Sequence, residues 1–225
     1  QEKVEEVMLQ KRSAKRGVCF NLGAYASDDI PLLAAGCCWS YNWGSGTTEQ
    51  AMSLFSKYEM DYCPMAWNSA WDEEAVRRFK ESHPECRYIL AYNEPNLTDQ
   101  ANMTPAAAAK DWPRLVAVAK ELEMKIIAPA MNYGTLSGYS DPWKWLDEFF
   151  RQPGVSIDDV DGIAVHCYMS HPSALEWFIG EFKKYGKPIW LTEFCSWEGN
   201  ISEKEQTRYM IEVLHYLESD RSEEH

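Results

Sequence analysis

Residues 88–95 read YILAYNEP. The first five are those of a buried strand, with Ile89, Leu90 and Ala91 flanked by tyrosines of high β-propensity. The last three are not. Asn93 and Pro95 are poor strand residues, and the Glu94 carboxylate is costly to bury. The segment therefore predicts a buried strand that stops at a polar surface, where Pro95 turns the chain into the next loop.

The same construction recurs along the chain. Apolar runs of strand length occur at RGVCFNL (16–22), CCWSYNW (37–43), DYCPMAW (61–67), KIIAPAM (125–131), GIAVHCYM (162–169) and PIWLTEFC (188–195). Their continuous apolarity, without strict alternation, points to a parallel sheet covered by helices. Between them lie helix starts: Thr47 with Gln50 as a capping box, Asp72, Thr104 followed by Pro105, Asp141 followed by Pro142, Pro172 with Ser173, and Ser202 with Glu205. Gly186 reads as the stop of the helix opened by Pro172 and Ser173, and Pro113 is expected to kink or split its helix.

A strand–helix order repeated seven times, with no linker or low-complexity stretch, predicts one domain over residues 1–225. Two α/β architectures fit, an open doubly wound sheet and a (β/α)₈ TIM barrel. The first strand lacks a glycine-rich dinucleotide loop. Polar and aromatic residues instead end almost every strand: Asn21, Asn42, Trp43, Trp67, Asn68, Asn93, Glu94, Asn132, His166, Tyr168 and Glu193. In a barrel all these ends meet at one mouth, so the barrel is the expected fold. It is expected to be truncated after the seventh unit. Residues 221–225, RSEEH, have the wrong composition for an eighth strand and match the translation of a common sequencing adapter, so they are expected to be spurious.

Composition narrows the partners. A net charge of −13 argues against nucleic acid, whose phosphates require clustered Lys and Arg. It suits a neutral ligand, and 10 Trp and 12 Tyr supply flat apolar faces of the kind that stack on sugar rings. No apolar run reaches membrane-spanning length. The N-terminal QEKVEEVMLQKR is charged and helical in pattern, so no signal peptide is visible. The seven cysteines fit no metal spacing and read mostly as small buried hydrophobes, with a disulfide or reactive thiol left open for Cys167 and Cys195.

Two glutamates end apolar strands, Glu94 on the fourth and Glu193 on the seventh. Acetal hydrolysis needs a proton donor to the leaving oxygen and a second carboxylate that attacks the anomeric carbon or activates water. Strands four and seven of a barrel stand on roughly opposite sides of the mouth, which suits two carboxylates flanking one bond. No His/Asp/Glu group has metal spacing, and no metal or other cofactor is expected. The sequons at Asn96, Asn102 and Asn200 are read as incidental.

SYNWGSG (40–46), CPMAW (63–67), LAYNEPNLTDQANMTPAAAAKDW (90–112), VHCYM (165–169) and WLTEFCSW (190–197) resemble glycoside hydrolase family 128, over about residues 16–216. The resemblance implies retaining hydrolysis of β-1,3-glucan by a (β/α)-barrel, with Glu94 as general acid/base and Glu193 as nucleophile. It implies that Asn93 binds the sugar 2-OH, that Tyr168 sits against the nucleophile and that His166 lines the pocket. It places Asn42, Trp43 and Trp67 in glucose subsites and Trp197 at the rim. The implied partner is a β-glucan, with no nucleic acid and no membrane. The chain is expected to be a monomer and to be secreted or cell-wall-associated. Two alternatives remain: a glucan-binding protein without turnover, and a barrel glycosidase of another linkage such as β-mannan or xylan. Helical spacing predicts Trp143, Trp145 and Trp177 as core. Strand alternation with Glu193 predicts that Trp190 faces the helices.

Overall fold

The structure is a computed structural model that describes residues 11–21 and 26–220. The N-terminal helical pattern before residue 11 and the segment 221–225 lie outside the described residues. Among the described residues, seven strands alternate with seven α-helices. The strands are β1 (Gly17–Cys19), β2 (Trp39–Tyr41), β3 (Asp61–Tyr62), β4 (Tyr88–Leu90), β5 (Lys125–Ile127), β6 (Ile163–Cys167) and β7 (Ile189–Phe194). The helices are α1 (Ala26–Leu33), α2 (Glu49–Lys57), α3 (Glu73–Ser82), α4 (Pro105–Glu121), α5 (Pro142–Phe150), α6 (Pro172–Phe182) and α7 (Glu203–Ser219).

Every pairing is parallel and between sequence neighbours. β1 pairs with β2 and β2 with β3, β4 with β5, and β6 with β7. Single bridges join these groups: Met65 to Leu90, then Ile127 to Gly162 and Met131 to Val165. The ladder also continues past the end of β4, where Asn93 bridges Ala130. Of the eight units of the expected barrel, seven strand–helix units are found among the described residues. Between β1 and β7, beneath α7, lies an apolar groove of about 280 Å³ that includes Val18, Leu191, Tyr209, Leu214 and Leu217.

Two apolar clusters fill the molecule. The larger lies between strands and helices and includes Ile89, Trp112, Leu115, Val165, Phe178 and Leu191. The smaller is drawn from the strands and the residues just beyond them: Trp39, Tyr41, Cys63, Met65, Leu90, Ile127, Ala130, Ala164 and Trp190. Trp190 thus points inward, stacked edge-on against Trp39 at 5.2 Å and Tyr88 at 4.8 Å, opposite to the expectation from alternation. The cause is a register shift: Val165 pairs with Leu191, but His166 pairs with Glu193. Thr192 is the extra residue of a bulge, and bulges re-aim side chains. Trp190 and Glu193 therefore both face inward although they differ by an odd number of residues.

Helices α2, α3, α4 and α7 start on a side-chain cap, whereas Asp141 before α5 and His171 before α6 make no such bond and are followed by Pro142 and Pro172 in the first turn. Asp72 accepts from the Ala75 N–H at 3.0 Å and Thr104 from the Ala107 N–H at 3.1 Å, with Pro105 at the first helical position. Ser202 and Glu205 form a capping box. The cap of α2 is Thr48, one residue after the expected Thr47. α1 had no readable start in the sequence. Pro113 lies within a single 17-residue helix and does not split it. All seven cysteines are free: Cys63, Cys86 and Cys167 are buried, while Cys19, Cys37, Cys38 and Cys195 are half-buried. No helix among the described residues is long and apolar enough to cross a membrane.

Candidate active site

The polar strand ends gather around an open cleft of about 780 Å³. Glu94, Asn93, Trp43, Trp67, Tyr168, Glu193 and Trp197 line it. Glu94 arrives from the end of β4 with φ of 45°, a left-handed conformation that costs a non-glycine residue energy and persists only when its surroundings impose it. Its N–H is held by the Ala130 carbonyl at 3.0 Å, and that of Asn93 by the Trp67 carbonyl at 2.9 Å. The sheet ladder thus runs up to the catalytic candidate itself.

Behind Glu94 stands His166, fully buried on β6. Its Nδ1 lies 2.8 Å from Glu94 Oε1 and 3.6 Å from Glu193 Oε2. Asn132, after β5, donates from Nδ2 to the same Glu94 Oε1 at 3.1 Å. Burial alone raises the Glu94 carboxyl, but the hydrogen bond and charge of His166 and the Asn132 amide outweigh it and hold the group below the usual carboxylate range.

Glu193 is held by three donors. Trp43 Nε1 donates to Oε1 at 2.8 Å, Tyr41 Oη donates to Oε1 at 3.3 Å, and Tyr168 Oη donates to Oε2. Trp43 also sits at positive φ, 61°, so the indole that reaches Glu193 stands on a strained residue. Burial first, then the hydrogen bond to Glu193, pushes the Tyr168 hydroxyl well above its ordinary value, so it stays a donor. One ligand atom each from Glu94, His166 and Glu193 falls within 4.8 Å of the others. Among the described residues this is the one group gathered closely enough for a metal. Its atoms are already engaged with each other and with Asn132, Trp43 and Tyr168. No sequence spacing reveals it, because its members come from three strands.

Two expected site residues are placed differently. Asn42 does not line the cleft. Its Oδ1 accepts from the Tyr62 hydroxyl at 2.5 Å and the Gly44 N–H at 3.2 Å, so the side chain is spent on shaping the loop that presents Trp43. His166 is behind the cleft wall, touching Glu94 rather than open space. Trp197, 75% exposed, stands over Tyr168 at the rim with centroids 5.5 Å apart. Asn93 donates to Gln100 Oε1 at 3.0 Å, and its buried Oδ1 has no partner.

A family model of the glycosyl hydrolase catalytic core matches residues 17–223. The fold is similar to the crystal structure of a GH128 subgroup II endo-β-1,3-glucanase from Pseudomonas viridiflava, with 35% identity, a TM-score of 0.84, and coverage of 95% of this chain and 85% of that one. A subgroup II endo-β-1,3-glucanase from Sorangium cellulosum matches with 31% identity, a TM-score of 0.79, and coverage of 93% and 85%. The chain belongs to glycoside hydrolase family 128. It is also 26% identical over 222 residues to Alkali-sensitive linkage protein 1 of Schizosaccharomyces pombe, covering 94% of this chain and 38% of that protein.

In this family 128 chain, several cleft residues stand outside the set of site residues expected from the sequence. Asn21, Leu97, Asp99 and Gln100 line the cleft, as does Asn132, and Tyr41 supports Glu193. Asn21 and Asn132 were visible as polar strand ends. Leu97, Asp99 and Gln100 lie in a loop whose shape no local pattern encodes. Asn96 is fully buried, with Nδ2 on the carbonyls of Asn132 at 2.8 Å and Tyr139 at 3.1 Å. It locks the Glu94 loop to the Asn132 loop, which excludes a glycan at that sequon in the folded chain.

Proposed function

We propose that the chain hydrolyses β-1,3-glucan with retention of configuration, Glu94 acting as general acid/base and Glu193 as nucleophile. The observation that carries this is the approach of one oxygen of each carboxylate to within 4.8 Å of the other on the wall of a cleft rimmed by Trp43, Trp67 and Trp197. Retaining glycosidases hold their carboxyls at about 5–5.5 Å, whereas inverting ones leave about 6.5–9.5 Å for a water. The linkage follows the endo-β-1,3-glucanases that this chain resembles.

In the first step Glu193 attacks the anomeric carbon while Glu94 protonates the departing oxygen, giving a glycosyl ester. Trp43, Tyr41 and Tyr168 aim the attacking carboxylate. Glu94 lies low in the free chain, the wrong direction for an acid, because His166 and Asn132 favour its charged form. A bound glucan removes water from the cleft beside the Glu193 charge, and both changes raise Glu94. Ester formation then consumes the Glu193 charge, which lowers Glu94 again and leaves it as the base for water in the second step. Asn93, which lines the cleft beside Glu94, is the proposed partner for a sugar hydroxyl.

The fold that goes with this function is a (β/α)₈ barrel. Sequential parallel strands and an inner apolar cluster made by strand residues support it. A monomer in a secreted or wall-facing location fits a polymeric, extracellular substrate.

The test is release of reducing ends from a linear β-1,3-glucan. Glu94→Gln is expected to lower turnover by on the order of 10²–10⁴-fold, and Glu193→Gln at least as much. Glucan binding without product at any pH would instead support a binding protein, and turnover confined to mannan or xylan another linkage.

A further inference from the structure

Helical spacing assigns Trp143, Trp145 and Trp177 to the core, and only Trp145 is fully buried. Trp177 is 50% exposed on α6, and Tyr133, in the loop after β5, is 39% exposed. They are parts of one aromatic group. Trp143, half-buried at the start of α5, stands between them, with its centroid 5.8 Å from Tyr133 and 6.1 Å from Trp177 and its plane nearly perpendicular to both. The buried Phe178 backs Tyr133 at 5.6 Å, and Phe182 backs Trp143 at 6.1 Å. Rings packed from behind lose little freedom when a ligand covers them, which favours binding. A soluble protein seldom leaves such a contiguous apolar surface without a use.

We propose that Tyr133, Trp143 and Trp177 form a glucan-binding platform outside the cleft, which holds a distal segment of the polymer being cleaved; the proposal rests on the β-glucanase function argued above. Position and charge select this ligand. Tyr133 directly follows Asn132, whose amide holds Glu94, and its N–H donates to Asn132 Oδ1 at 2.8 Å. The platform therefore starts one residue from the cleft wall and runs outward over α6. Asp141 stands at the start of α5 and Glu181 lies on α6, the helices that carry Trp143 and Trp177, and the chain has a net charge of −13. That field repels nucleic acid and anionic lipid, whereas a pyranose is neutral and offers a C–H face to a ring. The exposed rings thus match a hydroxylated, uncharged chain that the cleft already engages.

Two measurements on the same variants test the platform. Binding to insoluble linear β-1,3-glucan is read by depletion from solution, with Glu94→Gln present throughout so that the polymer survives. Initial rates on a short soluble β-1,3-gluco-oligosaccharide are read with Glu94 intact. The Tyr133→Ala/Trp177→Ala double variant is expected to bind the polymer on the order of tenfold more weakly. Its oligosaccharide rates should stay within about twofold of the parent, and Trp177→Phe, which keeps a ring, should retain most binding. Undiminished polymer binding by the double variant overturns the platform, as does an equal loss on polymer and oligosaccharide. If the parent itself neither cleaves nor binds β-1,3-glucan, the underlying function fails and the platform with it.

Discussion

At the residue scale, the site is a carboxylate pair whose members are held in different ways. Glu94 shares one oxygen between His166 and Asn132, and Glu193 receives a tryptophan and two tyrosines. His166→Ala removes the larger of the two influences that lower Glu94, leaving burial opposed by the Asn132 amide alone, so the carboxyl rises. Because the acid must carry a proton, the basic limb of kcat/KM against pH is expected to move to higher pH in that variant. An unmoved limb separates His166 from the acid function. Trp43→Phe keeps the ring and deletes the N–H on Glu193 Oε1. Losing a hydrogen bond to a charged group costs about 1.5–3 kcal/mol, so steady-state kinetics should show kcat reduced by roughly 10–100-fold. The two glutamates were legible because carboxylates are conspicuous at the ends of apolar strands. The inward turn of Asn42 and the reach of Asn132 to Glu94 were not, since each depends on a partner on a different strand or loop.

At the element scale, one bulge and one close approach set the geometry. Regular alternation from an inward Trp190 would have turned Glu193 toward the helices; the extra residue Thr192 brings it back beside His166. Sequence periodicity put Trp190 on the wrong face because a bulge leaves no mark in an apolar run such as IWLTEF. Helix starts were more legible, since caps act locally: Asp72, Thr104 and Ser202 hold the expected places, and the adjacent threonines misled by one residue at Thr48. The loops carrying Glu94 and Asn132 meet where a Cβ on Gly134 would lie 2.2 Å from the Asn96 carbonyl oxygen. Gly134→Ala must therefore push the two loops apart. Overpacking of this kind costs about 1–3 kcal/mol, and for a chain of this size thermal unfolding should shift down by roughly 2–4 °C per kcal/mol. An unchanged midpoint would mean the loops are not locked together.

At the scale of the whole molecule, stability and chemistry are linked through Glu94. Its folded pKa is depressed, so its contribution to stability is fully present above the unfolded carboxyl value of about 4.3 and is lost as pH falls through the lower folded value. Urea unfolding of the parent and of Glu94→Gln should show a difference that shrinks on acidification through that window, whatever its size at neutral pH. A difference independent of pH would contradict the lowered Glu94. The seven strands were legible from apolar runs and six of the seven described helices from their starts, α1 being the exception. The groove between β1 and β7 left no mark in the sequence, which gives the order of the elements and not the spacing they take up.

The central claim is a double displacement by Glu94 and Glu193. It is tested most directly by the anomer first released from a linear β-1,3-gluco-oligosaccharide, followed by proton NMR before mutarotation. The β-anomer is the expected first product, in keeping with one oxygen of each carboxylate within 4.8 Å of the other. The α-anomer appearing first would contradict the account.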